Sequence, residues 1–247
     1  MTSAPEVSIV IPVYNEEAIL RAAVLELRER LADSAPAHEI VLAENGSRDE
    51  TREVAQELSR RYPEVRVLCT GEPNYGEALR EGILAARGEF VICEEIDLCD
   101  AAFHRAALAE LRSGRAEMVI GSKLLGESKD QRPVIRHLTS LGYNLLLRAL
   151  LGFAGTDTHG LKAFRRSVLE PVVRACVIDK DVFASELVIR AYRSEVRVLE
   201  IPVRVMEKRP PSINLLKRVP NVLGNLARLT WAIRLQKVAE PAKPARP

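Results

Sequence analysis

The first hundred residues alternate short β-branched runs with longer segments whose apolar residues recur at helical spacing. VSIVIPV (7–13), EIVLA (39–43), VRVLC (65–69) and EFVIC (89–93) read as strands. Between them, Ile19, Leu20, Val24, Leu27 and Leu31 put an apolar face on a helix over Glu17–Leu31, and further helices are expected at about Asp49–Arg61 and Gly76–Ala86. Strands apolar on both faces and separated by helices predict a mostly parallel sheet covered on both sides, an α/β fold. Such sheets bind ligands beyond the carboxyl ends of their strands. That rule directs attention to Tyr14–Glu16, Glu44–Gly46, Gly71–Gly76 and Glu94–Asp100.

The second half is less regular. A helix over Ala101–Ser113 and a strand MVIGS (118–122) precede a long apolar-basic stretch from Arg132 to Phe153, a loop TDTHG (156–160), and helices near 167–175 and 182–193. EVRVLEIPVRV (195–205) is strand-like. The last patterned segment, 213–237, places Leu215, Leu216, Val219, Val222, Leu223, Leu226, Leu229 and Ile233 on one side of a helix, which Pro220 should kink or begin. With no internal repeat and no Gly/Ser linker, the expected organisation is a single domain over 1–212, an amphipathic helical segment over 213–237 and a flexible Pro- and Ala-rich tail over 238–247.

Charge sharpens this picture. The formal net charge of +2 points to no nucleic acid, but residues 1–100 carry 10 basic and 21 acidic side chains, whereas 101–247 carry 26 and 13. From Arg204 to Lys237, eight basic residues stand against Glu207 alone, interleaved with Leu, Val, Ile and Trp231. A basic amphipathic helix of this kind lies on an anionic bilayer surface, and LTSLGYNLLLRALLGF (138–153) looks similar, with core packing as its equal alternative. The chain has no run of 18 apolar residues and no signal-peptide pattern at its start, so the expectation is a cytoplasmic protein, peripheral on the inner face of the membrane. Cys69, Cys93, Cys99 and Cys176 lack zinc-ligand spacing and read as reduced, mostly buried thiols.

Three strand-end loops carry the candidate chemistry: Tyr14-Asn15-Glu16, Glu44-Asn45-Gly46-Ser47 and Glu94-Glu95-Ile96-Asp97. Carboxylates gathered at one sheet edge repel one another unless a cation is bound, and oxygen donors of this type suit Mg²⁺ or Mn²⁺. Such a cation can hold a diphosphate on its other side. Strand alternation turns Glu94 away from Glu95.

In order along the chain, VSIVIPVYNEE, EIVLAENGSRDET, NYGEALREGILAARGEFVICEEIDL and DTHGLKAFRR resemble family 2 glycosyltransferases of the GT-A fold, and most of all dolichol-phosphate mannose synthases and related polyprenyl-phosphate glycosyltransferases. The resemblance spans about 7–212. It implies that Pro12, Tyr14 and Glu16 contact the base and ribose of a nucleotide-diphosphate sugar, with Leu42 and Glu44 at the end of the second strand. It further implies that Glu95, Ile96 and Asp97 form the metal and diphosphate motif, with Asp97 and Glu95 as ligands of Mg²⁺ or Mn²⁺. Lys123, Arg136 and Arg209 correspond to cations that meet the phosphates, and Glu186 to a helix carboxylate near the site. The chain departs from the family pattern at Glu44-Asn45 and Glu95, where Asp is usual, and at Cys99, where Gln is common and beside which Asp100 offers a substitute. It also departs at Ile213, where a Lys is expected.

The implied activity is inverting transfer of a hexose from GDP-mannose or a UDP-sugar to a polyprenyl phosphate at the membrane. Asp97, Lys123 and Arg209 would stabilise the departing diphosphate. A phosphate acceptor is already anionic, whereas a saccharide or other hydroxyl acceptor needs a general base, for which Asp157 is the candidate. Two alternatives stand beside this reading: that hydroxyl-acceptor enzyme, and a catalytically silent nucleotide-sugar-binding module. Asp157 as a cap of its own turn and His159 as a turn residue are the plain readings of DTHG.

Overall fold

Apolar alternation in each strand decides which helix covers which face of the sheet. The computed structural model describes residues 4–35, 37–96, 100–122, 125, 134–180, 182–203 and 215–235. In chain order these form β1 (Val7–Val13), α1 (Glu17–Ser34), β2 (His38–Glu44), α2 (Thr51–Arg61), β3 (Val65–Cys69), α3 (Tyr75–Ala85), β4 (Phe90–Cys93), α4 (Ala101–Arg112) and β5 (Met118–Ser122). There follow α5 (Val134–Leu151), β6 (Lys162–Arg165), α6 (Arg166–Ala175), α7 (Phe183–Arg193), β7 (Val198–Pro202) and α8 (Leu215–Thr230), which ends in a π-helical turn, Trp231–Leu235. On β1, Ile9 and Ile11 face α1, α2 and α4, while Val10 faces α3, α6 and α7. Each fully buried Leu of α1, such as Leu20 and Leu27, contributes about 1.5–3 kcal/mol through removal from water.

One sheet of seven strands results, in the order β3-β2-β1-β4-β6-β5-β7. Strands β1 to β4 are mutually parallel, β5 and β7 are a parallel pair, and β6 runs antiparallel to both its neighbours, β4 and β5. The sheet is therefore mostly parallel, as the pattern predicts. Strand order reverses at β1 and β4, so the loops leaving their carboxyl ends diverge and open a crevice.

Three features differ from expectation. The four-residue strand β6, KAFR, was not foreseen because its charged ends mask any alternation. The strand expected over 195–205 starts only at Val198, as β7, since Glu195, at φ +57°, and its neighbours turn the chain back from α7, while 204–205 lie outside the described residues. Helix α8 begins at Leu215 and runs through Pro220, so the proline does not mark its start. Leu226, Leu229, Ala232 and Ile233 are buried in the same core as Leu187 and Val188, and Arg190 donates to the Ala232 carbonyl at 3.1 Å. The C-terminal helix thus packs on the domain, while Leu223 (55% exposed) and Trp231 (54%) stay in solvent. Helix α5 is divided in the same way, with Leu147 and Leu151 buried and Leu145, Leu146 and Leu150 exposed. Among the described residues no helix is long and apolar enough to cross a membrane.

At the amino edge of the sheet a buried polar network joins β1, β2 and β3 to the turn before β4. Ser8 Oγ donates to Glu39 Oε1 (2.6 Å) and accepts from the Gly88 N–H (2.9 Å), while Glu39 also accepts from Arg66 (2.7 Å) and the Arg87 N–H (2.7 Å). Burial alone would raise the Glu39 pKa, but the bonds from Ser8, Arg66 and Arg87 together outweigh it and hold the carboxyl below its ordinary value. A depressed folded pKa adds stability that is complete above the ordinary value of 4.5 and is lost as the pH falls through the folded value. Glu39→Gln is therefore expected to destabilise the protein by about 1–3 kcal/mol at neutral pH. In urea unfolding the gap to the parent should close in acid; a gap constant from neutral pH to pH 3 would show that the charge of Glu39 is not what the network uses.

Candidate active site

The loops after β1, β2 and β3 are cross-linked by their own side chains. Asn15, held at φ +54°, accepts the Arg48 N–H on Oδ1 (2.9 Å) and donates its N–H to Ser47 Oγ (3.1 Å). Asparagine tolerates this left-handed conformation better than most residues. The Glu16 N–H reaches Thr51 Oγ1 (2.7 Å), and Asn45 Oδ1 accepts the Asn74 N–H (2.5 Å) at the start of α3. Gly46, at φ +70°, lies so close to the next loop that a Cβ would stand 2.8 Å from the Gly71 carbonyl oxygen. Tyr14 and Glu16 sit on this platform, Tyr14 exposed. The Glu44 carboxylate is buried and turned back on its own loop, accepting the Ser47 N–H at 2.5 Å. Pro12 is buried in β1, and the Leu42 side chain lies wholly within the core shared with α1 and α2.

At the end of β4 the chain alternates as the strand pattern requires. Cys93 faces α3, Glu94 points to the opposite face, and Glu95 is exposed. Glu94 is fully buried against His104 of α4, to which it is hydrogen-bonded and with which it forms an ion pair when the imidazole is protonated. The sequence offered His104 no partner, because a contact between a strand end and the following helix has no spacing signature. Ile96 is buried beside Phe103. Asp100, considered as a substitute metal ligand, instead caps α4: its Oδ1 accepts the N–H groups of Ala102 (2.9 Å) and Phe103 (3.0 Å).

Between β4, β6, α3 and α7 lies a cavity of about 150 Å³. Cys93, Glu95, Tyr75, Leu79, His159, Gly160, Lys162 and Ala184 are among the residues that line it. Lys162 is the residue that sequence reasoning missed, although it stands in the quoted motif DTHGLKAFRR. It lies directly across from Cys93 on β6, is almost wholly buried, and donates Nζ to the Gly160 carbonyl at 2.7 Å. Burial pushes the Cys93 thiol up to about 12, against the opposing pull of Lys162, so Cys93 is neutral and no ligand for a hard cation.

The loop before β6 bears Asp157, whose Oδ1 accepts the His159 N–H at 2.8 Å, as a capping residue would. His159 Nδ1 lies 3.1 Å from Thr158 Oγ1, whose hydroxyl is also 2.9 Å from Ser185 Oγ. Gly160 packs directly on β5, where a Cβ would strike the Gly121 carbonyl. Glu186 is not at the cavity. Buried in α7, it accepts the N–H groups of Val177 and Ile178 and the Arg190 guanidinium at 2.8 Å, and so fastens the α6–α7 connection.

Asp97, Cys99, Lys123 and Arg209 lie outside the described residues, as does the side chain of Arg136, whose backbone is in α5. Among the described residues no three His, Cys, Asp or Glu side chains converge as a metal site. Glu95 nevertheless brings a carboxylate to the cavity, a donor type that fits Mg²⁺ or Mn²⁺. The edge thus brings together a carboxylate at Glu95, the Lys162 side chain in the cavity wall and a platform of cross-linked loops.

Comparison with known proteins bears on this arrangement. Residues 8–173 match the family model described as glycosyl transferase family 2. The glycosyltransferase AglD of Haloferax volcanii is 31% identical over 237 residues, which cover 94% of this chain and 38% of that protein. A dolichyl-phosphate beta-glucosyltransferase, ALG5D, of Trichomonas vaginalis is 31% identical over 80% of this chain and 64% of its own length. An undecaprenyl-phosphate 4-deoxy-4-formamido-L-arabinose transferase of Pseudomonas aeruginosa is 34% identical over 69% of this chain and 50% of its own. The chain therefore spans between about a third and two thirds of the length of these relatives. Among solved structures, glucosyl-3-phosphoglycerate synthase of Mycobacterium tuberculosis in complex with Mn²⁺, UDP and phosphoglyceric acid superposes with a TM-score of 0.66 at 20% identity, over 92% of this chain and 78% of that one. The same synthase has also been solved with Mg²⁺ and UDP, at a TM-score of 0.64. The likeness is one of fold, and the architecture is the GT-A form of α/β sheet. By the match over two thirds of its length, this chain is a member of glycosyl transferase family 2.

Proposed function

We propose that the protein is an inverting, metal-dependent glycosyltransferase that moves a hexose from a nucleoside-diphosphate sugar to a polyprenyl phosphate at the inner membrane face. The observation that carries the acceptor is the divided character of α5 and α8, which pack against each other. Each buries one apolar side in the core, while Leu145, Leu146, Leu150, Leu223 and Trp231 are exposed. Exposed apolar side chains on basic helices suit a bilayer interface. Two of the relatives act, by their names, on dolichyl and undecaprenyl phosphates.

On this reading Tyr14 and Glu16 receive the nucleoside on the cross-linked platform. Glu95 and Asp97 would hold Mg²⁺ or Mn²⁺, which neutralises charge on the diphosphate. The acceptor phosphate oxygen attacks the anomeric carbon opposite the leaving group, the bond from that carbon to the diphosphate oxygen breaks, and its electron pair leaves with the nucleoside diphosphate. The anomeric configuration inverts. Lys162 supplies a fixed positive charge on the cavity wall, where low polarity strengthens its effect on the anion that develops. Lys123, Arg136 and Arg209 are assigned to the acceptor and leaving phosphates.

The deciding experiment is transfer of labelled hexose from a panel of GDP- and UDP-sugars, with Mn²⁺, to a short polyprenyl phosphate in liposomes. The expected product is a chloroform-extractable labelled lipid that disappears in Asp97→Ala and falls sharply in Glu95→Gln. Donor turnover without labelled lipid would move the acceptor to a hydroxyl compound; nucleotide binding without turnover would leave a silent module. Asp157→Asn is expected to retain most of the transfer to a phosphate acceptor, and a dead variant that still binds nucleotide would overturn that choice of acceptor. Lys162→Met is expected to lower the rate by about 10²-fold in a protein that still folds and binds nucleoside diphosphate, with a lower melting temperature because the Gly160 carbonyl loses its donor; an unchanged rate would take Lys162 out of the transfer.

A further inference from the structure

The loop over 152–160 is held by side chains of β5, α5 and β7, and all but one of these hydrogen bonds meet at Thr156. Its N–H donates to Glu200 Oε1 at 2.8 Å and its hydroxyl donates to Glu200 Oε2. A hydroxyl carries one proton, so Ser122 Oγ must be the donor in its 2.6 Å contact with Thr156 Oγ1. Asn144, buried on α5, donates to the Thr156 carbonyl, and Arg148, one turn further on, donates to the Gly155 carbonyl at 3.2 Å. Tyr192 of α7 donates to Glu200 Oε1 at 3.0 Å. Burial first, and then the Glu200 charge, hold the Tyr192 phenol above its ordinary range, so it remains a donor. Packing is tight: a Cβ on Gly155 would lie 2.5 Å from Glu200 Oε1.

Two members of this network stand directly before residues assigned to the chemistry. Ser122 ends β5 and precedes Lys123; Thr156 precedes Asp157. Glu200 lies in β7, whose exit is fixed when the Val203 N–H reaches the Ser122 carbonyl at 3.2 Å, six residues before Arg209. Arg136 belongs to the same helix as Asn144 and Arg148.

We propose that Thr156 is a positioning residue, which locks the end of β5 at Ser122, the loop before Asp157 and the end of β7 into one register against the Glu200 carboxylate. The inference rests on the transfer reaction proposed above, to which it adds a residue remote from any substrate contact. The nucleoside platform at 14–17 and 44–51 uses a separate set of hydrogen bonds. Loosening Thr156 therefore acts on transfer and spares nucleotide binding.

Thr156→Val keeps the shape and removes the hydroxyl. It is expected to lower kcat by about 10- to 100-fold, with the donor KM and nucleoside-diphosphate affinity within about twofold of the parent, since small misplacements of reacting groups act on the rate. Thr156→Ser, which restores the hydroxyl, should recover most of kcat. Amide hydrogen exchange gives a readout independent of turnover: in Thr156→Val it should quicken over 152–160 and 198–203 and stay unchanged over 38–51. An unchanged kcat, an equal loss in the Val and Ser variants, or unaltered exchange would overturn the proposal. If the parent transfers no sugar, it is the proposed function that fails, and hydrogen exchange still decides the role of Thr156. Should Thr156→Val not fold, Glu200→Gln carries the same comparison.

Discussion

The candidate site depends on the direction of one short strand. Because β6 is inserted antiparallel between β4 and β5, its beginning lies at the edge where the other six strands end. The loop that leads into it, 152–161, therefore lies at the same edge as the loops after β1 and β2 and the carboxyl ends of β4, β5 and β7. The same pairing puts Lys162 opposite Cys93 on one side and Ile120 on the other, and Lys162 and Cys93 both line the cavity. A parallel β6 would send Asp157, His159 and Lys162 to the far edge. Four hydrophobic-to-basic residues thus decide whether the acidic and basic groups of this chain meet.

The two edges of the sheet use buried polar groups differently. At the amino edge, Glu39 gathers Ser8, Arg66 and the turn at Arg87 into a staple that touches no cavity. At the carboxyl edge, side chains accept from loop amides at Asn15, Glu44, Asn45 and Asp157 and from the first-turn amides of α4 at Asp100, which satisfies backbone groups that have no strand or helix partner. Behind Glu95, the Glu94–His104 pair is sealed beneath α4. Removal of one partner of such a pair leaves an uncompensated polar group in the core, so it ties the strand end that bears Glu95 to the helix after it. The carboxylate exposed to the cavity thus stands on a buried support.

Membership of glycosyl transferase family 2 fits this distribution of charge. The acidic first half supplies the platform and Glu95, and the basic second half supplies Lys162 and the helices α5 and α8. Those helices serve two surfaces at once. Leu147, Leu151, Leu226 and Leu229 complete the core, and the turns between them carry leucines into solvent. Buried Asn144 and exposed Arg148 of α5 both bond the loop before Asp157, so the helix that carries exposed leucines is bonded to that loop.

Much of this was legible in the order of residues. Periodicity alone located β1 to β5, the helices between them and the parallel character of the sheet, because strands buried on both faces must be apolar throughout and their crossover helices must be amphipathic. The strand-end rule then named the loops at 14–16, 44–46 and 94–97, and ordered motifs pointed to the family. What the sequence could not contain was the partner of each polar group across the sheet. Strand β6 is too short and too charged to show a period. Lys162 gains its meaning only from the antiparallel register that sets it against Cys93, and Asp100, a plausible ligand on paper, uses Oδ1 to cap α4. His104 and Thr156 are ordinary in sequence, for their partners Glu94, Ser122 and Glu200 are brought to them by packing. Periodic burial is a local property and is written along the chain; hydrogen-bond pairing between distant elements is decided only when the sheet closes around its register.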